Sequence, residues 1–209
     1  MLHRVLVFVA VGVVACAGPK PAAAPSPATS PPAKPVVTSP AGEQWLTRLD
    51  ADNALVGKVW DVKSSAFVEP GAVIERLAAA RFVLLGERHD NADHHRLQAQ
   101  VLSQLVEAGR RPAVVLEMLE ISQQAAVDEY AARPDAAAAG FGAALGWEHT
   151  SWPAYSEYQP IFAAAFANKL PIFAGNVAQA DAKALVKQGS TALSPERVKE
   201  LRLDSAFPE

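Results

Sequence analysis

The chain has 209 residues, half of them apolar and a fifth charged, with a formal net charge of −3. That length supports one domain with a sizeable core. The weak acidity, with no basic stripe to neutralise phosphates, excludes nucleic acid as a partner. A single cysteine, Cys16, excludes an intrachain disulfide and any CxxC or Cys/His zinc cluster.

Met1 to Arg4 is a short basic start, and Val5 to Ala15 is an unbroken apolar segment. It is too short to span a bilayer comfortably and matches the h-region of a secretory signal. Val13-Val14-Ala15-Cys16 resembles a bacterial lipoprotein cleavage box, in which the cysteine becomes the lipidated first residue. The other reading is a plain signal peptide cut nearby, with Cys16 incidental. Ala17, in place of an acidic residue, is similar to the pattern of lipoproteins sorted to the outer membrane. Residues 1–16 are thus expected to be a lipoprotein signal peptide, and the membrane a partner through lipidated Cys16. Between residues 17 and 42 fall eight of the sixteen prolines, interleaved with Ala, Ser and Thr. Such a segment buries no core; at about 3 Å per residue it makes a tether some tens of ångströms long.

The folded region, 43–209, opens with a short helical pattern to about Asn53. Val59 to Val62 and Ala66 to Val68, separated by Lys63-Ser64-Ser65, read as a small hairpin. Pro70 to Ala80 predicts a helix with Val73, Ile74, Leu77 and Ala78 on one face. Phe82 to Leu85 is a short apolar run stopped by Gly86, the pattern of a strand buried on both faces of a parallel sheet. Asn91 caps the next helix, with Asp93 in its first turn, and Leu97, Val101, Leu102, Leu105 and Val106 form its buried stripe. Gly109 is its stop. A second apolar run, Ala113 to Leu116, ends in Glu117, so the chain reads as a βαβ unit. Ser122 caps a helix to about Ala132, and Pro134 opens an alanine-rich one to about Leu145. A helix from about Pro153 to Asn168 precedes a third buried strand, Leu170 to Gly175, from which Asn176 exits. Ala178 to Gln188 and a start at Ser194-Pro195-Glu196 are helical.

Parallel strands joined by a helix end on the same sheet edge, where ligands of open α/β sheets bind. Glu87 and His89 leave the first strand there, and Glu117 the second. Two carboxylates and an imidazole therefore converge across about thirty positions of sequence. Glu87 orienting His89 makes a base or a metal-ligand pair, with Glu117 as a third group for substrate or a divalent metal. A solvated loop with ordinary charges is the plain alternative. Asp90 and Asn91 read as cap residues before ligands, and His94 and His95 as an exposed polar face in the helix's first turn, with a ligand role as the alternative.

Gly86-Glu-Arg-His-Asp-Asn91, Leu116-Glu117, Gly146-Trp147, Ser151-Trp152-Pro153, Tyr158-Gln-Pro160, Leu170-Pro171 and Asn176 together resemble the ChaN-like haem-binding lipoproteins. These belong to a superfamily with the erythromycin esterases and the TIKI/TraB proteins. The resemblance covers about Val59 to Gln188. It implies an α/β fold: a mainly parallel sheet flanked by helices, with a small N-terminal hairpin. It also implies haem as cofactor and partner, with a part in haem or iron uptake at the bacterial cell envelope. Family members continue past this point with a further histidine motif and a late G-x-x-H segment, so the C-terminal part of the family's fold is expected to be missing.

Within that resemblance Tyr158 is the candidate haem ligand, since tyrosinate is an established axial ligand. His149, between two tryptophans, is a second candidate, and Asn176 completes the cofactor-binding set. Tyr155, Tyr158, Phe162 and Phe166 also recur at helical spacing, the ordinary pattern of a core stripe. No CxxCH is present, which excludes covalent c-type attachment. Two classes stay open. One is a membrane-anchored haem-binding lipoprotein. The other is a hydrolase working through Glu87, His89 and Glu117, with or without a divalent metal. An inactive shortened member, with an open sheet edge through which it dimerises, is the third reading.

Overall fold

The segment that reads as the first buried strand is extended but joins no ladder. In the computed structural model, which describes residues 44–205, Phe82 carries a single β-bridge and the chain from Val83 to Arg88 carries no strand pairing. Val83 is 2% exposed, whereas Phe82 and Leu84 on either side are 53% and 64% exposed. Only alternate side chains are buried, as in a chain lying one face down on the domain. Side chains of the following helix take up two of its backbone groups. Gln98 Nε2 donates to the Leu85 carbonyl at 3.1 Å, and the Arg88 amide donates to His94 Nδ1 at 2.7 Å. The expectation of a strand buried on both faces is therefore corrected.

The other elements follow the sequence more closely. The hairpin β1 (Val59–Asp61) and β2 (Ala66–Val68) is antiparallel, with Trp60 opposite Phe67. Helix α1 (Pro70–Ala79) begins on its proline, which has no amide to leave unsatisfied. Helix α2 (Ala92–Glu107) is capped by Asn91, whose side chain accepts from the Asp93 amide. It ends where Gly109 turns to φ +78° and the Arg110 amide reaches back to the Leu105 carbonyl at 2.9 Å, a glycine-closed terminus. The parallel sheet comprises β3 (Val114–Glu120) and β4 (Ile172–Asn176). Between them run α3 (Gln124–Ala131), α4 (Ala138–Ala144) and α5 (Tyr155–Ala167). After β4 come α6 (Gln179–Gln188) and α7 (Pro195–Glu200), the latter capped by Ser194.

The fold is thus mixed α/β, a parallel sheet flanked by helices with a small antiparallel hairpin. Two boundaries differ from expectation. Residues 44–53 form turns instead of a helix. Asp93 at the start of α2 captures the Leu46 and Thr47 amides at 3.1 and 2.7 Å, and Asp50 sits at φ +53°, which breaks a helix. The alanine-rich helix starts only at Ala138, because residues 134–137 turn first. Residues 1–16, Cys16 and the tether at 17–42 lie outside the described residues.

α5 is the helix around which the core forms. It packs on α2 and α4, and buries Tyr158, Ile161, Phe162 and Ala165. Phe141, Phe162 and Tyr158 are fully buried and Trp147 is 4% exposed. Their rings meet at centroid distances of 4.8 to 5.9 Å. Burying each such side chain contributes about 2–3 kcal/mol, and this cluster fixes the position of Tyr158 beneath the candidate site.

Candidate functional site

Glu87 is the centre of the site. The chain reaches it at the end of the extended segment, and the turn at His89-Asp90 leads straight into α2. Its carboxylate is 6% exposed. Oε1 lies 2.6 Å from His89 Nδ1 and accepts from the Tyr158 hydroxyl at 3.2 Å. Oε2 lies 2.6 Å from Nε2 of His95, a side chain with no exposure at all. That second contact is close but not aligned as a hydrogen bond, and His95 Nδ1 is buried without a partner. Burial alone would raise the Glu87 pKa. The contacts and charges of His95 and His89 outweigh it and hold the carboxyl below its usual range. An ionised carboxylate only accepts, so the His89 proton facing it sits on Nδ1.

That tautomer leaves His89 Nε2 facing outward. The ring is 43% exposed, and Nε2 is 3.5 Å from Oε1 of Glu117. Trp152 stands edge-on to it, with centroids 4.8 Å apart. An open hollow beside the ring is lined by Glu87, Arg88, His89, Asp90, Ser151, Trp152 and Pro153. Arg88 is two-thirds exposed there and pairs with Asp90, whose pKa its guanidinium lowers.

Glu117 reaches His89 by a different route from the one its sequence suggests. It lies inside β3, not at its end. From Leu116 to Glu120 the strand advances four residues while β4 advances two, Ala174 to Asn176. The bulge turns Glu117 outward and buries the adjacent pair Met118 and Leu119.

The remaining candidates are distributed unevenly. Tyr158 is wholly buried, with its ring 3.9 Å from that of His95 and its hydroxyl given to Glu87. Burial first, then the Glu87 charge, push its pKa far above the ordinary value. In this arrangement the phenol keeps its proton and serves as a hydrogen-bond donor to Glu87. His149 is 83% exposed and pairs with Glu148 at 3.4 Å, outside the hollow's lining. Asn176 ends β4 in register with Glu120, again outside that lining. Among the described residues no group of three or more His, Cys, Asp or Glu is placed to hold a metal ion. Glu87 and Glu117 each meet one ring nitrogen of His89, and this geometry gives the divalent-metal reading no support. No serine, threonine or cysteine hydrogen-bonds to His89 among the described residues.

His95 was not legible as a site residue. It was expected on an exposed face, yet it stands seven positions before Leu102, on the buried stripe with Ala99. Helical periodicity alone, extended one turn back, places it inside. His94 has a different task. Its Nδ1 accepts the Arg88 amide, and burial lowers its pKa, which keeps it neutral and able to accept.

This fold and this Gly-Glu-Arg-His turn define an α/β protein of the Tiki superfamily. The family described as "Haem-binding uptake, Tiki superfamily, ChaN" matches residues 73–208, and the chain belongs to it. Its structure is similar to one described as cofacial heme binding to ChaN of Campylobacter jejuni. The TM-score is 0.56 at 21% identity, over 70% of this chain. The chain matches 60% of the length of that structure. No curated protein matches it by sequence.

Proposed function

We propose that the chain is a haem-binding protein of the cell envelope, holding haem for uptake with His89 Nε2 as its iron ligand. One observation carries the reading: His89 sets Nδ1 against a buried carboxylate, and its half-exposed ring lines an open hollow. Histidines that bind metal typically donate their other ring N–H in this way, which fixes the ring and raises the basicity of the ligating nitrogen. The surroundings suit the rest of the molecule. Trp152 and Pro153 offer an apolar wall, and Arg88, exposed and paired with Asp90 at the rim, offers a cation for a propionate. Glu117, 44% exposed, faces the same nitrogen and would have to give way to the iron.

Hemin titrated into the protein should give a shifted, saturable Soret band. His89→Ala should weaken binding at least tenfold, whereas Tyr158→Phe should retain a histidine-type spectrum. A spectrum that stays that of free hemin sinks the binding claim. Unchanged binding by His89→Ala sinks the ligand assignment.

Anchoring belongs to the same proposal. The sequence around Cys16 supports lipidation of that cysteine with removal of the residues before it, and 17–42 as a tether to the outer membrane. Among the described residues no helix is long and apolar enough to cross a membrane. Cys16→Ser should leave the membrane fraction or remain unprocessed, and normal processing with unchanged fractionation would end that reading.

A further inference from the structure

Six of the eleven large apolar side chains exposed among the described residues fall in one short stretch: Leu46, Leu49, Leu55, Trp60, Val62 and Phe67. Exposed apolar surface is therefore weighted, in sequence, to the segment that follows the proline-rich run at 17–42. That segment also precedes residues 73–208 and so lies outside the part that the family matches. The hairpin gives it a shape. Trp60 stands opposite Phe67 across the ladder, so both rings leave the same face.

The two faces of the hairpin differ. Val59, Asp61 and Val68 are partly buried, and Arg76 of α1 holds the Asp61 carboxylate at 2.6 Å. Trp60 and Phe67 meet edge to face with centroids 4.9 Å apart, and each keeps about half of its surface in water. Lys58 Nζ lies over the Phe67 ring at 5.1 Å, and Lys63 stands in the turn beside exposed Val62. Folding thus fixes two large rings and two cations without burying the rings. Aromatic rings with a polar handle prefer the boundary between hydrocarbon and water, and lysine stems lie along apolar surface while their amines stay wet.

We propose that the outer face of the β1–β2 hairpin docks on the surface of a lipid bilayer, with Trp60 and Phe67 at the headgroup–acyl boundary and Lys58 and Lys63 toward the phosphates. The occupant follows from the chain itself. The apolar segment 5–15 and the proline-rich run 17–42 precede the hairpin, so the bilayer is the surface that a tethered domain meets at high effective concentration. Under that condition a small patch of two rings suffices, because the tether supplies the encounter. Charge agrees, since the hairpin's own acid is taken up by Arg76 and the lysines face anionic headgroups. The proposal rests on the envelope reading for its occupant and is independent of haem.

The test uses the full chain on vesicles of phosphatidylethanolamine and phosphatidylglycerol, with part of the lipid brominated midway along one acyl chain. Vesicle-bound protein is recovered by flotation, and its tryptophan fluorescence is compared with that on unbrominated vesicles. Trp60→Phe should lose most of the bromolipid quenching, although Trp45, Trp147 and Trp152 remain. Phe67→Ser, at an exposed position, should reduce the quenching several-fold in folded protein. Should that variant not fold, Trp60→Phe decides alone. The proposal is overturned if no protein floats, if bound wild type shows no bromolipid quenching, or if Trp60→Phe or folded Phe67→Ser leaves the quenching intact. Shielding of Trp60 from acrylamide by raised protein concentration, and not by vesicles, assigns the face to a second copy and overturns it too. Fractionation of Cys16→Ser reports the anchor, while quenching is read on bound protein only, so failure of the anchor and failure of the hairpin contact are distinguishable.

Discussion

Tyr158 and Tyr155 share a helix turn and a physical situation: the first phenol is fully and the second partly buried, and both give their proton to a fixed acceptor. Tyr158 donates to Glu87, and Tyr155 donates to the Ala138 carbonyl at 2.6 Å. Burial is the first cause that holds both pKa values above the ordinary tyrosine value; the Glu87 charge adds to it for Tyr158. In the unfolded chain both ionise near pH 10, while in the folded chain they keep their protons beyond it. Their contribution is therefore complete below about pH 10 and is lost as pH rises from there through the folded values. Unfolding free energy should fall above that pH with a slope of up to about 1.4 kcal/mol per pH unit for each tyrosine. Denaturant melts from pH 8 to 11.5 check this, and Tyr158→Phe should remove about half the slope. A slope unchanged by that substitution would show that Tyr158 ionises freely and does not support Glu87. Glu87 works in the opposite sense. Its lowered pKa contributes stability that is present above the unfolded carboxyl value and is lost as pH falls below it through the lower folded value.

Among the elements, those with strong local chemistry were readable from sequence and those decided by distant neighbours were not. Asn91 with Asp93, Gly109, Pro70 and Ser194-Pro195 mark helix ends whose hydrogen bonds lie within a turn, and each end falls where they put it. The run Phe82 to Leu85 has the apolarity of a central strand, but whether it pairs depends on what stands beside it. Gln98 and His94 reach its backbone first. The β3 bulge is likewise invisible in Leu116 to Glu120, since it arises from the shorter path of β4. Glycines divide the same way. Gly142 in α4 looks like a weak helix residue, yet a Cβ there would lie 2.4 Å from the Tyr155 ring. That ring is held by its own hydroxyl and cannot retreat. Gly142→Ala should cost about 1–3 kcal/mol by overpacking. Gly71, in the first turn of α1, has nothing within 4 Å of its notional Cβ. Gly71→Ala should be neutral or stabilise by up to about 1 kcal/mol. Thermal melts of the pair test whether packing or helix propensity governs these positions; equal shifts would favour propensity.

For the molecule as a whole, the consequence of a two-stranded parallel sheet is an edge. Among the described residues β3 pairs only with β4, and the extended chain that lies nearest its other side makes no ladder with it. Phe82 and Leu84 project from that chain into solvent, more than half exposed. Unpaired extended backbone with adjacent apolar side chains is a ready template for a second strand from another molecule. The charges nearby do little to prevent it. Arg81 lies over the Phe82 ring at 5.0 Å, where it covers the ring and keeps its charge off the strand edge. We therefore expect concentration-dependent self-association through residues 82–85, visible as a rise in weight-average mass by light scattering between micromolar and hundred-micromolar protein. Leu84→Lys should suppress it without lowering the melting temperature, because Leu84 is 64% exposed and contributes little to the core. Phe82→Lys should do the same with a small loss from the bridge and the ring contact with Arg81. High salt should strengthen the wild-type association, since apolar contact and backbone pairing drive it while like charges on the two copies oppose it. A protein that remains monomeric across that range, or one whose association Leu84→Lys leaves unchanged, would show that α2 shields this segment from strand addition.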